Sequence, residues 1–571
     1  MPPTVSDTAP PAAPSAASPT VLTRPVRYHA DGGALLEHLT RAGLLRSAGR
    51  SVDDGEAAGV RPVDCVLLES ADITTKASRT TVAVLEASAR LTCWGGTVTA
   101  EALSTVDGEG PGADGLAALA RLEERLSEHL ADRSPGRLTL ALPTSADDDA
   151  TNATIEERER LTALSTIEPL RVLAQAEVDH PHLPLEAGAF AFDYLSTFES
   201  LPEVAQGANT CPDYLFYDAR IILVVDHPTQ EATLVGASVD ATELEQRLDA
   251  LAAAINTAAD AAEHSPAPPE VAADSAVLHA VPTTSDADFE AVVETMRGYI
   301  ADGDVYQVVP SRGFTIDCPD ALAAYHVLRH ANPSPYMFYL AAPDFELFGA
   351  SPESALLYSV RSSRVAIRPI AGTRPRGLHP DGSVDHERDT RLELELRTDA
   401  KEVAEHVMLV DLARNDVARV SRPGTRSVQD LLRVDRYSRV MHLVSEVSGE
   451  LAEDLDALDA FRASMTMGTL TGAPKLRAAE LIRQAEGVRR GSYGGSVGYI
   501  RGDGELDTCI VIRSGFVVDG TALVQAGAGV VAASSPAAEA AETVHKARAV
   551  LEAVAAAQGA ALVIDTTGKE A

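Results

Sequence analysis

Basic and aromatic side chains are scarce in this chain. Its 571 residues carry 48 Lys and Arg against 84 Asp and Glu, a formal net charge of -36, and only 4% are aromatic. An acid excess of this size argues against binding nucleic acid or an anionic membrane. It also repels an anionic substrate, unless local cations or a metal reverse the field. Cysteine is rarer still: Cys65, Cys93, Cys211, Cys318 and Cys509 are far apart and form no C-x-x-C pair. That spacing disfavours a disulfide framework or a zinc site and suggests reduced thiols in a cytoplasmic protein. No apolar run approaches the ~20 residues of a membrane-spanning helix. The Pro/Ala-rich opening has no charged segment followed by an apolar one, so it reads as a disordered tail over 1–20 rather than a signal peptide. Neither glycine-rich piece near the end of the chain, GTLTGAPK or QAGAGVV, carries a G-x-G-x-x-G or a G-x-x-x-x-G-K-[ST] fingerprint, which speaks against a dinucleotide site or a phosphate loop there.

The remainder is globular in composition, 45% hydrophobic with 40 Gly and 33 Pro. A first region spans 21–259, a proline-rich linker or insert 260–285, a second region 286–555 and a tail 556–571. RERLTALSTIEPLRVLAQ reads as one helix. SYGGSVGYI, TCIVIRSGFVVDG and TALVQAGAGVV read as three successive strands. Strands joined mostly by turns, with helices outside them, predict an α+β fold of large antiparallel sheets and outer helices.

Two carboxylate pairs carry the chemistry. Glu402 and Glu405, in AKEVAEH, and Glu539 and Glu542, in AAEAAETVHKAR, are each spaced i,i+3 in helix-forming sequence. Each pair therefore shares one helix face. Spacing alone favours two solvated faces. Two such helices facing each other would instead suit a hard divalent cation, with room for a substrate carboxylate as a further ligand. GTLTGAPK, Gly468–Lys475, offers a Gly-rich turn before a helix, with hydroxyls on Thr469 and Thr471 and a charge on Lys475. In QAGAGVV, Gln525–Val531, closely spaced glycines let backbone approach a ligand.

GASPES, PIAGTRPRG, AEHVMLVDLARND, DRYSRVMHLVSEVSGEL, MTMGTLTGAPKLRAAELI, RRGSYGGSVGYI, LDTCIVIRS and VQAGAGVVAASSPAAEAAET follow in one order. Together they resemble the chorismate-utilising enzymes, and within them the large-subunit (component I) family of anthranilate synthases. The likeness is dense from about 285 to 552 and extends to LLESADI near 67–73. It implies a lyase of tryptophan biosynthesis (EC 4.1.3.27): Mg2+-dependent conversion of chorismate and ammonia to anthranilate and pyruvate. The ammonia would come from glutamine through a separate amidotransferase subunit (component II), in a heterotetramer.

Carried over residue by residue, the resemblance makes Glu405 and Glu542 the Mg2+ ligands, with Glu402 and Glu539 as acidic neighbours. Tyr493 and Arg513 would hold the enolpyruvyl carboxylate. Ala371, Gly372, Thr373, Ala528, Gly529 and Lys546 would line the substrate site, with Thr469 against its other face. His442 resembles the family's active-site histidine, and Glu353 the acid beside the leaving C4 hydroxyl. The water-adding relatives have a lysine where this chain has Gln307, and an amide cannot act as a base at neutral pH. The aminodeoxychorismate synthases have a nucleophilic lysine where this chain has Ala371. Both positions favour direct attack by ammonia. Glu69 and Ser70 of LLES, with Pro335, Tyr336 and Met337 of NPSPYMF, resemble an L-tryptophan inhibition site. The alternatives are an aminodeoxychorismate synthase large subunit, a phenazine-pathway relative that keeps its pyruvyl group, and a non-catalytic tryptophan-binding subunit.

Overall fold

A computed structural model describes residues 18–49, 59–72, 75, 77–106, 108, 110–144, 157–175, 178–258, 276–379, 383–437 and 440–566. Among these described residues the frame is a continuous network of 23 strands. Among the described residues the strand pairs are antiparallel, except that Val277–Pro282 runs parallel to Ala561–Ile564. Alternation along the strands sorts side chains between two layers. Val66, Leu215, Phe338 and Val497 meet in a strand-on-strand core. Their neighbours Leu67, Phe216 and Met337 pack beneath helices on the outer faces. The predicted α+β class, antiparallel sheets with outer helices, is the fold observed.

The described residues of the predicted first region share this frame with the rest of the chain. Cys65–Ala71 pairs with Tyr336–Ala341, and Leu185–Phe190 pairs with Ser496–Arg501. The stretch read as a linker contains the Val277–Pro282 strand, and the stretch read as a C-terminal tail contains Ala561–Ile564. At the N-terminus, strand Thr20–Val26 begins on the last residue of the predicted tail. The predicted single helix over 158–175 is two, Glu157–Thr162 and Glu168–Ala174, with Pro169 in the first turn of the second. TCIVIRSGFVVDG likewise forms two strands, Leu506–Ile510 and Ser514–Val518, because the backbone turns left-handed at Arg513 (φ 51°). A charged residue at positive φ breaks an otherwise apolar run that composition alone reads as continuous.

Two helices set up the site. Ala400–Val420 starts at Asp399, whose side chain accepts from the Lys401 and Glu402 amides at 2.9 and 3.2 Å. Pro536–Ala557 has proline in its first turn and buries Val550, Leu551 and Val554. Each such side chain contributes about 1.5–3 kcal/mol. That seating anchors the later turns, and the earlier turns of the same helix bring Glu542 and Lys546 to the neighbouring cavity.

Candidate active site

A cavity of about 560 Å³ opens between these helices and the sheet. Glu402, Glu405, Glu539 and Glu542 all line it, so the two i,i+3 pairs predicted from spacing meet across one space. So do Gln307, Glu353, Ala371, Gly372, Thr373, His442, Thr469, Tyr493, Arg513, Gly529 and Lys546. Ala528 lies between the lining residues Gly527 and Gly529 and is itself fully buried. Of the GTLTGAPK turn, Thr469 and Leu470 reach the wall. Lys475 does not serve it: its ammonium is held by Asp416 at 2.7 Å and the Ser464 carbonyl at 2.9 Å. Its charge is spent on joining two helices.

The carboxylates sit in different fields. Burial, with the charges of Glu402, Glu542 and Glu539 adding to it, pushes Glu405 up to about 7 against the pull of Lys401. Glu539 is raised by burial and by Glu542. Burial also acts to raise Glu542, but the Lys546 ammonium 2.7 Å away outweighs it and holds the carboxyl below its ordinary value. Glu402 is pinned by Arg374 at 2.7 Å, and the same guanidinium reaches the capping Asp399 at 2.6 Å. Among the described residues no three such side chains converge into a closed metal cage. The pairs form an open, mutually repelling set. Such a donor set fits a cation that takes one or two carboxylates and completes its shell with substrate and water.

The cavity also holds proton-transfer groups and cations. Glu353 is 6% exposed, and burial pushes its carboxyl up to about 8, so it is mostly protonated at neutral pH. The Ile370 amide approaches one of its oxygens at 3.4 Å. The Thr469 hydroxyl lies near enough to favour its charged form, yet has no hydrogen bond of good geometry. His442 is held down to about 4 by burial and by the Arg513 charge. Its Nδ1 meets Thr373 Oγ1 at 2.9 Å and the Gly372 carbonyl at 3.3 Å. A carbonyl can only accept, so the ring proton sits on Nδ1 and Nε2 is left basic. Burial works against the charge of Arg513, which donates to the Lys546 carbonyl at 3.2 Å. No carboxylate among the described residues forms an ion pair with it. The cavity therefore presents an anion receptor beside its acidic helices.

Gln307 Oε1 is buried without a hydrogen-bond partner. A Cβ at Gly529 would stand 2.7 Å from Gln307 Nε2, so glycine is what lets that amide reach the wall. Sequence reasoning missed Lys401, Gln525 and His545, which also line the cavity. Lys401 did leave a signal, a cation four residues before Glu405. It also missed Arg490, which donates to the Leu470 and Val309 carbonyls at 2.8 and 2.6 Å and so ties two wall segments together.

The residues read as an inhibitor site come together on adjacent strands but divide between two faces. Met337 and Glu69 are paired in register and share a face, while Ser70 and Tyr336 alternate to the other. Glu69 is already engaged, by Tyr325 Oη at 2.5 Å, Arg329 Nε at 2.8 Å and Thr81 Oγ1 at 3.2 Å. On the Tyr336 side lies Asp507, raised to about 6 by burial against the pull of the nearby Tyr336 hydroxyl, with one oxygen buried and unpartnered. Pro335 precedes that strand and is half-buried. Ile73 of LLESADI lies outside the described residues.

A model of the chorismate binding enzyme family matches residues 132–552. Anthranilate synthase component 1 of Vibrio cholerae serotype O1 is 48% identical over 500 residues, covering 86% of this chain and 91% of that protein. Its counterpart in Escherichia coli K12 is 46% identical over 530 residues, covering 92% and 98%. Among solved structures, anthranilate synthase component I from Streptococcus pneumoniae TIGR4 aligns with a TM-score of 0.61 at 28% identity, over 83% of this chain and 92% of that one. The isochorismate synthase MenF from Escherichia coli aligns at 0.59 over 94% and 95%, and at 16% identity it shares the fold alone.

Proposed function

This chain belongs to the chorismate-binding enzymes, among the anthranilate synthase component 1 sequences, and we propose on that premise that it converts chorismate and ammonia to anthranilate and pyruvate. The observation that supports this most is the single cavity joining four glutamates to Arg513, Glu353 and His442. Chorismate is a dianion with a ring hydroxyl to lose and an enolpyruvyl ether to cleave, and each of these needs a matching group.

Arg513 offers a planar fork to the enolpyruvyl carboxylate, and the buried Tyr493 hydroxyl a neutral donor beside it. Glu405 and Glu542 would hold Mg2+, with Glu402 and Glu539 beside them. When bound, the cation neutralises protein and substrate carboxylates together and turns their repulsion into attraction. Glu353, kept protonated by burial, gives its proton to the C4 hydroxyl as ammonia adds at C2 and water leaves. His442, neutral with a basic Nε2, accepts a proton released as the ring turns aromatic and the pyruvyl group departs. Thr373 and the Gly372 carbonyl hold the imidazole in that tautomer. Ala371 and Gln307 supply neither a nucleophile nor a base, so attack falls to free ammonia and not to lysine or activated water.

The ammonia would come from a partner glutaminase. All five cysteines are buried, and burial raises the Cys509 thiol well above its ordinary value. Glutamine in place of ammonium should therefore support no synthesis by the chain alone. L-tryptophan would bind on the Ser70 and Tyr336 face, where Asp507, and not the already engaged Glu69, has a carboxylate oxygen to offer its ammonium group. The test is a mixture of chorismate, ammonium and Mg2+ read for anthranilate and pyruvate, with and without L-tryptophan. Equal yields of both products are expected. An aminated ring product without pyruvate would refute the reading.

A further inference from the structure

Gln525 lines the substrate cavity, yet its side chain is oriented from the first half of the chain. Asn209 is 2% exposed. Its Oδ1 accepts from the backbone amides of Ser492 at 3.2 Å and Cys211 at 3.3 Å. Backbone amides can only donate, so the Asn209 side chain has one possible orientation and Nδ2 faces the other way. That nitrogen donates to Ser492 Oγ at 2.9 Å and to the Gln525 side chain at 2.8 Å. A donor must meet an acceptor, so the Gln525 atom at this contact is Oε1. Gln525 Nε2, with two N–H donors, is left without a protein acceptor among the described residues.

The same clamp sets the neighbouring loop. Gly491, at φ 63°, passes so close to Asn209 that a Cβ there would lie 2.2 Å from Oδ1. Asp193 holds the Gly491 amide at 2.8 Å. Two residues on stands Tyr493, on the wall Gln525 shares.

We propose that Gln525 is a further substrate-binding residue, a neutral two-proton donor turned toward the anionic substrate, and that Asn209 is the positioning residue that fixes its orientation. This rests on the chorismate reading of the cavity. A neutral donor suits a wall already holding Arg513 and Lys546, because it adds hydrogen bonds to a carboxylate or ether oxygen with no desolvated charge to compensate. Asn209→Asp keeps the acceptor for both backbone amides but removes the donor to Gln525. The glutamine amide then turns to donate to the new carboxylate and presents its carbonyl oxygen to the substrate.

The experiment is a double-substitution cycle on the full chain with chorismate, Mg2+ and ammonium, recording kcat, KM and Tm for wild type, Gln525→Met, Asn209→Asp and the pair. Gln525→Met and Asn209→Asp should each raise KM roughly ten- to hundredfold, the range of a lost hydrogen bond to a charged group. The pair should be no worse than Gln525→Met alone, since Asn209 acts through Gln525. A KM for Gln525→Met within twofold of wild type, or fully multiplicative effects in the pair, would overturn the proposal even where wild type makes anthranilate. A rise in KM that merely tracks a fall in Tm would overturn it too. Failure of wild type to turn chorismate over would instead strike the functional reading beneath it.

Discussion

Replacing Glu353 offers a quantitative check on the acid step. Burial pushes this carboxyl up to about 8, so its protonated share falls from about 0.9 at pH 7 to about 0.1 at pH 9. A proton donor is active only in that form, so activity is present below about pH 8 and is lost above it. Acid–base groups of this kind contribute roughly a hundredfold to ten-thousandfold, which is the loss of kcat expected for Glu353→Gln. Free ammonia rises with pH and would mask the effect. Total ammonium is therefore adjusted to hold NH3 constant, with Mg2+ saturating, and anthranilate fluorescence is followed from pH 6 to 9.5. His442, held near 4, stays neutral over this range and adds no limb of its own. Wild type should lose close to tenfold between pH 7 and 9, and the residual rate of Glu353→Gln should show no such fall. A wild-type rate per NH3 that stays level, or a Gln variant with the same decline, would refute the reasoning.

Three further outcomes follow from packing and charge. Gly529→Ala places a Cβ 2.7 Å from Gln307 Nε2, so KM for chorismate should rise about tenfold, in keeping with ~1–3 kcal/mol for overpacking. Substitution of Glu69 by Gln strips a buried partner from Arg329, which retains Asp31 at 3.1 Å. The cost should be about 3 kcal/mol, at the low end for a broken buried pair, and an unchanged Tm in thermal denaturation would contradict it. Asp507→Asn should raise the L-tryptophan concentration for half-inhibition about tenfold or more, the loss of one charge-assisted hydrogen bond. Inhibition curves that superimpose would remove Asp507 from that site.

Much of the cavity was legible because helices repeat. Glu402 with Glu405, and Glu539 with Glu542, declare a shared face by spacing alone, and Lys546 falls one turn beyond Glu542 on the same face. That the two helices face each other is a fact of long-range packing, and the resemblance supplied it before the fold did. The left-handed turn at Arg513 left no mark in an apolar run, so two strands read as one. Asn209 and Gln525 lie 316 residues apart, and no local pattern links an asparagine in an irregular segment to a glutamine heading a Gly-rich strand end. LLES read as one site because its letters are adjacent. Strand alternation then sends Glu69 and Ser70 to opposite faces, and Arg329, far along the chain, engages the carboxylate that adjacency had assigned to the inhibitor.

The central claim is that this acidic cavity admits a dianionic ring only when a divalent cation is shared between Glu405, Glu542 and the substrate. The most direct measurement is chorismate turnover by wild type and by the Glu405→Gln, Glu542→Gln protein, each in saturating Mg2+ and in excess chelator. Turnover should be confined to wild type with Mg2+. Undiminished turnover by the doubly substituted protein in chelator would contradict the account.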